Sequence, residues 1–343
     1  MISSKLRLAL LFSIFCVSAR ACDLCGCYNR PLDSTASEPA QPKSFSIYAG
    51  VGEQFTSFGT ERLNGEKAGN PAGEYLNSSI SQVVVGASFF DNRFWLQTNI
   101  PLIYRAFRRS EGFEIEHGSV SGLGDISVSA NLVVFRKEAL FHEESGGLSK
   151  DSKAVTPLKG EPDFTALVNL SAGLKLPTGD SGELGAPEVD VEGAPESGIG
   201  GHDLTLGTGS VDGIFGIQTF VRYKALFLQA DAQFGWRGRG AYSYRFANDL
   251  SWSGGPGVYL LRKSDRTLGV QCVLSGETKG YDKQLGQPQF DTGVNSLYVG
   301  PRIIGSFGRF SGDIAIDLPV IMNTTAFQIT PDYRIRAGLT YRF

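Results

Sequence analysis

Three cysteines crowd the start of the chain, Cys22, Cys25 and Cys27, against one other, Cys272, in the rest of the sequence beyond residue 21. Thiolates at this spacing could hold a soft metal such as Cu(I) or Zn, but only three ligands are visible. His117, His142 and His202 lie far off in sequence. One disulfide with a spare thiol, or a lipid on Cys22, fits the same residues. A second group is charged and scattered. Arg105, Lys175, Arg222, Arg237, Arg302, Arg334, Arg336 and Arg342 share alternating segments with apolar neighbours, as do Asp125, Asp231, Glu277, Asp313 and Asp317. Charges of both signs on one side of many strands read as a pathway guiding a solute, or as ion pairs filling the inside of a barrel. The third group is the acidic run Asp180, Glu183, Glu188, Asp190, Glu192 and Glu196. It could bind Ca²⁺ or bridge lipopolysaccharide through divalent ions, or it is a solvated, mobile Gly/Pro-rich loop ending in the polar pair His202-Asp203.

The elements that must position these residues are strands. The last eleven residues alternate strictly: Tyr333, Ile335, Ala337, Leu339, Tyr341 and Phe343 on one side, Arg334, Arg336, Gly338, Thr340 and Arg342 on the other. Period two means a β-strand with an apolar and a charged face. An outer-membrane bilayer is spanned by strands of ~9–11 residues with aromatic ends. Similar alternation predicts strands over Ser44–Ser57, Tyr75–Phe89, Arg93–Ala106, Gly122–Phe135, Phe164–Leu176 and Gly209–Tyr223. It continues over Leu226–Arg237, Asn248–Leu261, Thr267–Gly280, Val294–Phe307, Phe310–Ile321 and Tyr333–Phe343. The expected fold is therefore all-β: a transmembrane antiparallel up-and-down β-barrel of about twelve strands. Tyr341 and Phe343 are the expected assembly signal, on a last strand that closes the cylinder against the first.

Connections should alternate between short periplasmic turns and long outer loops. Phe90–Asn92, Lys224–Ala225, Arg262–Arg266 and Gly308–Arg309 are short. Phe58–Glu74, Phe107–Ser121, Pro177–Thr208, Gly238–Ala247, Tyr281–Gly293 and Met322–Asp332 are longer. Arg136–Asp163 breaks the rule and reads as a periplasmic insert. Ahead of the barrel, residues 1–21 read as a cleaved Sec-type signal peptide: Lys5 and Arg7, an apolar stretch to Ala19, then Ala19-Arg20-Ala21. Residues 22–43 form a Cys-rich segment and Pro-containing linker, and 44–343 the barrel. Export places the chain in an oxidising compartment.

Composition narrows the function. A net charge of −3 implies no nucleic-acid partner. Forty-three Gly, 23 Phe and 12 Tyr at a mean hydropathy near zero suit a wall whose strands face lipid on one side and water on the other. No Gly-x-Ser-x-Gly elbow, His-Glu-x-x-His helix or phosphate loop is present, so an enzyme is not expected. A barrel hydrolase using His117 or His202 at the outer rim is a minor alternative.

Three motifs carry a resemblance: Gly122-Leu-Gly-Asp125, Gly173-Leu-Lys-Leu-Pro-Thr-Gly-Asp180, and Gly207-Thr-Gly-Ser210 followed by Asp212. In this order they resemble the outer-membrane barrels grouped as the "MetA-pathway of phenol degradation" family, over roughly residues 44–343. The resemblance implies an outer-membrane channel or transporter for passive uptake or efflux of small solutes, hydrophobic or aromatic ones among them. Its partners would be outer-membrane lipid and lipopolysaccharide, the barrel-assembly machinery and a small-molecule solute. The alternative is a surface or structural protein whose Cys-rich start captures Cu or Zn.

Overall fold

The structure, a computed structural model, describes residues 45–139, 162–185, 191–263 and 265–343. The signal segment, Cys22, Cys25, Cys27, the linker and most of the expected insert lie outside the described residues. The strands in order are β1 (Phe45–Leu63), β2 (Glu66–Lys67), β3 (Tyr75–Phe89), β4 (Phe94–Glu111), β5 (Glu114–Leu123), β6 (Ser127–Ala139), β7 (Phe164–Lys175) and β8 (Asp212–Tyr223). Then come β9 (Leu226–Trp236), β10 (Tyr244–Arg245), β11 (Asp249–Lys263), β12 (Arg266–Lys279), β13 (Asp282–Gln284), β14 (Gln287–Gln289), β15 (Val294–Phe307), β16 (Phe310–Thr324) and β17 (Phe327–Arg342).

The wall runs β17-β16-β15-β12-β11-β9-β8-β7-β6-β4-β3-β1, each strand antiparallel to its neighbour. β17 pairs back onto β1 from Tyr48 opposite Arg342 to Leu63 opposite Phe327, giving a closed barrel of twelve strands. Closure matters because hydrocarbon offers no partner to an open strand edge. β5 and β6 are two halves of one wall strand. β4 pairs with β5 from Leu102 opposite Leu123 upward, and with β6 from Asn99 opposite Ser127 downward. The break between the halves is Gly124-Asp125-Ile126.

Alternation turns apolar residues outward. Leu226, Leu228, Phe234 and Trp236 are exposed along β9, and Ile314, Ile316, Leu318 and Val320 along β16. Their neighbours Gln229 and Asp317 are buried. The tight-turn end carries an aromatic belt in which Phe45 packs on Phe89 at 5.4 Å, Phe310 on Tyr341 at 4.9 Å and Tyr341 on Phe343 at 4.9 Å. Lys224 and Arg266 place their charges over Tyr223 and Phe307 there, at 5.7 and 5.6 Å. Such rings and cations suit the headgroup level of a bilayer. Among the described residues no helix is long and apolar enough to cross a membrane.

Several connections expected as loops carry strand pairing, two of them as extensions of the wall. Phe107–Ser121 is mostly strand, because Ser110, Phe107 and Arg105 pair on with Ile115, Gly118 and Val120 around the Gly112 turn. Met322–Asp332 likewise closes through a turn at Ala326. Alternation of side chains weakens above the lipid band, so both walls continued where the pattern had faded.

Candidate functional site: the barrel lumen

At the long-connection end, the segment between β7 and β8 is not solvated throughout. Its later part, from Gly198 to Leu206, turns into the barrel mouth, whereas Asp180, Glu192 and Glu196 of the acidic run are exposed and Glu188 and Asp190 lie outside the described residues. Ile199 and Leu204 pack with Phe58, Leu76, Phe107 and Ile329, inward residues of β1, β3, β4 and β17. Leu206 packs with Ile80 and Ile103. Burying these large apolar side chains is worth about 1.5–3 kcal/mol each, enough to outweigh a few exposed carboxylates at the rim. Glu74 fixes the far end: its carboxylate accepts from Gly198 N at 2.9 Å and from Ser110 N at 2.6 Å. Ile329 N donates to Gly198 O at 3.0 Å, so the segment crosses the mouth and joins the opposite wall. We call it the plug.

Arg105 is fully buried beneath the plug and donates to Thr205 O. His202-Asp203, expected as a polar pair at a strand start, instead lies in the one-turn helix Gly201–Leu204. His202 Nε2 is 3.3 Å from Asp203 Oδ1. Burial alone would lower the imidazole's pKa, but Asp203, Asp291 and Asp282 together lift it above the ordinary value against Lys279. His117, expected in a rim loop, is an exposed strand residue opposite Arg108. Asp180 receives Gly182 N at 2.9 Å, and among the described residues no group of His, Cys, Asp or Glu could hold a metal ion. Cys272 is exposed on the outer face of β12.

The three sequence motifs meet beside the plug. Lys175 Nζ lies 2.9 Å from Asp125 Oδ2 and 2.8 Å from Asp212 Oδ2. Arg237 bridges onward, 2.9 Å from Asp212 and 2.6 Å from Asp249. Thr208 donates N and Oγ1 to Asp125, both at 2.8 Å, and Gly179 N donates at 3.0 Å. Asp212 also accepts from Ser210 Oγ at 2.6 Å and Gly238 N at 3.0 Å. The chain of charges thus alternates in sign across the starts or ends of β6, β7, β8, β9 and β11. Its glycines are required by backbone contact: a Cβ on Gly207 would sit 2.5 Å from Gly179 O.

Deeper in, charges gather on β12, β15, β16 and β17. Arg336 NH2 donates to Asp317 Oδ1 at 2.9 Å, and Arg302 Nε to Asp313 Oδ2 at 3.3 Å. Arg334 lies 3.6 Å from Glu277 and 3.9 Å from Asp317, its guanidinium 4.4 Å from the Tyr298 ring centre. Asp231 accepts from Ser253 Oγ at 2.7 Å. Arg222, at the tight-turn end, donates to Thr165 Oγ1 at 2.9 Å. Arg342 is half-buried opposite Tyr48. Between the plug wall and Tyr298 lies a small pocket, lined among others by Phe58, His202, Lys279, Met322 and Ile329.

Sequence reasoning missed Glu74, Asp249, Lys279 and Asp282. Lys279 Nζ lies 2.7 Å from Asp282 Oδ2, which also accepts from the Tyr244 hydroxyl at 2.7 Å. Parity with Glu277 could have placed Lys279 inside; Glu74 and Asp282 stand outside the predicted strands and carried no such signal. The uncharged amides Asn131 and Asn169 are buried beside one another on β6 and β7.

No protein-family model matches the chain, and no curated protein matches it in sequence. In fold it is similar to an outer membrane channel from Pseudomonas putida F1, with a TM-score of 0.55 at 12% identity over 92% of this chain and 100% of that one. The β domain of the Bordetella autotransporter BrkA aligns with a TM-score of 0.42 at 9% identity, over 88% and 100%. The first likeness, taken with the exposed apolar wall and the closed strand ring, gives the architecture as that of an outer-membrane β-barrel.

Proposed function

We propose that the chain is an outer-membrane channel that lets small solutes cross passively through the barrel, past a mouth narrowed by the plug. The observation that carries this reading is the division of faces: an apolar exterior around an interior of polar and charged side chains, which a bilayer-spanning conduit requires. We further place the chain with the phenol-degradation barrels, because the residues behind that resemblance, Asp125, Lys175 and Asp212, form one buried unit around the plug's exit. Lipopolysaccharide around the wall and the barrel-assembly machinery during insertion belong to the same reading.

The test is conductance. The refolded chain in a planar bilayer should pass current in KCl, and Ile199→Asp with Leu204→Asp, which removes the plug's apolar anchors, should raise unit conductance. A folded, heat-modifiable barrel that conducts in neither form would overturn the reading.

A further inference from the structure

One ladder of the ring is shorter than the strands that make it. β16 and β17 pair from Phe310 opposite Tyr341 to Asp317 opposite Arg334, and among the described residues no further pair joins them. Both strands go on, β16 to Thr324 and β17 back to Phe327. Above the last rung β16 stays on β15, with Leu318 opposite Val299 and Thr324 opposite Val294. β17 stays on β1, with Tyr333 opposite Ser57 and Phe327 opposite Leu63. At about 3.3 Å per residue, the unpaired stretch 318–324 leaves a seam roughly 20 Å long. Its upper end is shut where Asn64 N donates to Ala326 O at 2.8 Å and Ala326 N to Asn64 Oδ1 at 3.1 Å.

The sequence keeps the lips apart. A proline cannot donate to a ladder and is confined to free edges and bulges, and each lip carries one, Pro319 and Pro331. Ile329 N on β17 donates not to β16 but to Gly198 O of the plug, at 3.0 Å. The approach needs glycine, since a Cβ on Gly198 would lie 2.8 Å from Ile329 N. The seam begins at the outer aromatic level, where Tyr333 packs on Phe55 at 6.1 Å. An open edge at that depth meets headgroups and water, which can satisfy it as hydrocarbon cannot.

The outside of the seam is apolar: Leu318, Val320, Ile321 and Tyr333 are exposed. Behind it lies the pocket beneath the plug, lined by Met322 and Thr324 from one lip and by Ile329, Thr330 and Pro331 from the other. Phe58, Val294 and Tyr298 complete an apolar lining. The charged groups around it already have partners, Lys279 with Asp282, Glu277 with Arg334 and His202 with Asp203. A neutral apolar solute gives up little there, whereas a charged one would lose its water for no new counter-charge.

Resting on the channel reading above, we propose that the seam is a side entrance. Small, uncharged, apolar solutes held at the outer membrane interface pass between β16 and β17 into the pocket, and so reach the lumen without crossing the plugged mouth. Water-soluble solutes take the mouth. The plug, by holding the Ile329 amide, keeps the two lips from zipping together.

A reversible cross-link tests this in the full chain. Carrying the lower register upward sets Met322 opposite Ile329, so Met322→Cys with Ile329→Cys should form a disulfide on oxidation that draws the lips together. Initial uptake of radiolabelled toluene by cells holding the variant should then fall to that of cells lacking the protein and return on reduction, with KCl conductance of the purified barrel kept. Val320→Asp with Ile321→Asp, which charges the exposed lip above the hydrocarbon, should also lower toluene uptake and keep conductance. Toluene uptake unchanged by the cross-link, or by the charged lip if the pair does not oxidise, would overturn the side entrance. So would wild-type uptake no faster than that of cells lacking the protein, or a fall in conductance parallel to the fall in uptake. Absence of any KCl conductance in the folded wild-type protein would instead overturn the channel reading beneath it.

Discussion

Lys175 sits between Asp125 and Asp212 with almost none of its surface exposed. Removing one member of a buried ion cluster strands the others, at a cost of about 3–5 kcal/mol. Lys175→Met should therefore lower the temperature at which the folded band unfolds in SDS, although a surface lysine replaced the same way would not. His202 makes the second prediction at this scale. Its pKa in the docked plug is raised above the ordinary 6.5. Protonation thus favours docking: the contribution is complete below the ordinary value and is lost as pH rises through the raised one. Conductance should increase as pH rises above the ordinary imidazole value and the plug loosens, and His202→Ala should flatten that profile. The facing groups Asp203, Asp282 and Asp291, with Lys279 opposing, set the sign.

A strand of the wall has two faces with opposite tolerances, and β17 shows both. Ile335 points outward, and Arg336 is buried against Asp317. Ile335→Arg places a charge in hydrocarbon, costing about 2–4 kcal/mol near the bilayer midplane, so its yield of heat-modifiable protein should fall sharply. Arg336→Gln should fold and shift ion selectivity, because Asp317 keeps Arg334 within 3.9 Å. The reverse outcome would mean that the register of β17 is displaced by one residue.

On the scale of the whole molecule, the barrel exists only if its last strand finds its first. Phe343 N donates to Ile47 O at 2.9 Å and its ring meets Tyr341 edge-on, so the end of β17 is sewn to β1 at the tight-turn end. Deleting Phe343 should lower the amount of protein in the outer-membrane fraction while export proceeds normally, measured by comparing outer-membrane and periplasmic pools. An unchanged distribution would remove the closing pair from the assembly step.

Period two fixes which side chains share a face, and it needs no partner strand to do so. The twelve strands were legible from that alternation, with errors at the outer ends where lipid no longer enforces it: β4, β5 and β17 all run further than their patterns. Asp125, Lys175 and Asp212 stood out as motif residues, but nothing local says that Lys175 serves both carboxylates or that Arg237 and Asp249 complete the set. Those partners are set by strand register and by the path of the plug, which are properties of the closed ring. The plug was not legible for the same reason. An acidic, glycine-rich segment looks solvated by composition, while Ile199, Leu204 and Leu206 find their apolar partners only after β1, β3 and β4 have brought Phe58, Leu76 and Phe107 to one mouth. Alternation is a local consequence of backbone geometry, and the sequence carries it alone; which inward residue meets which is decided by closure.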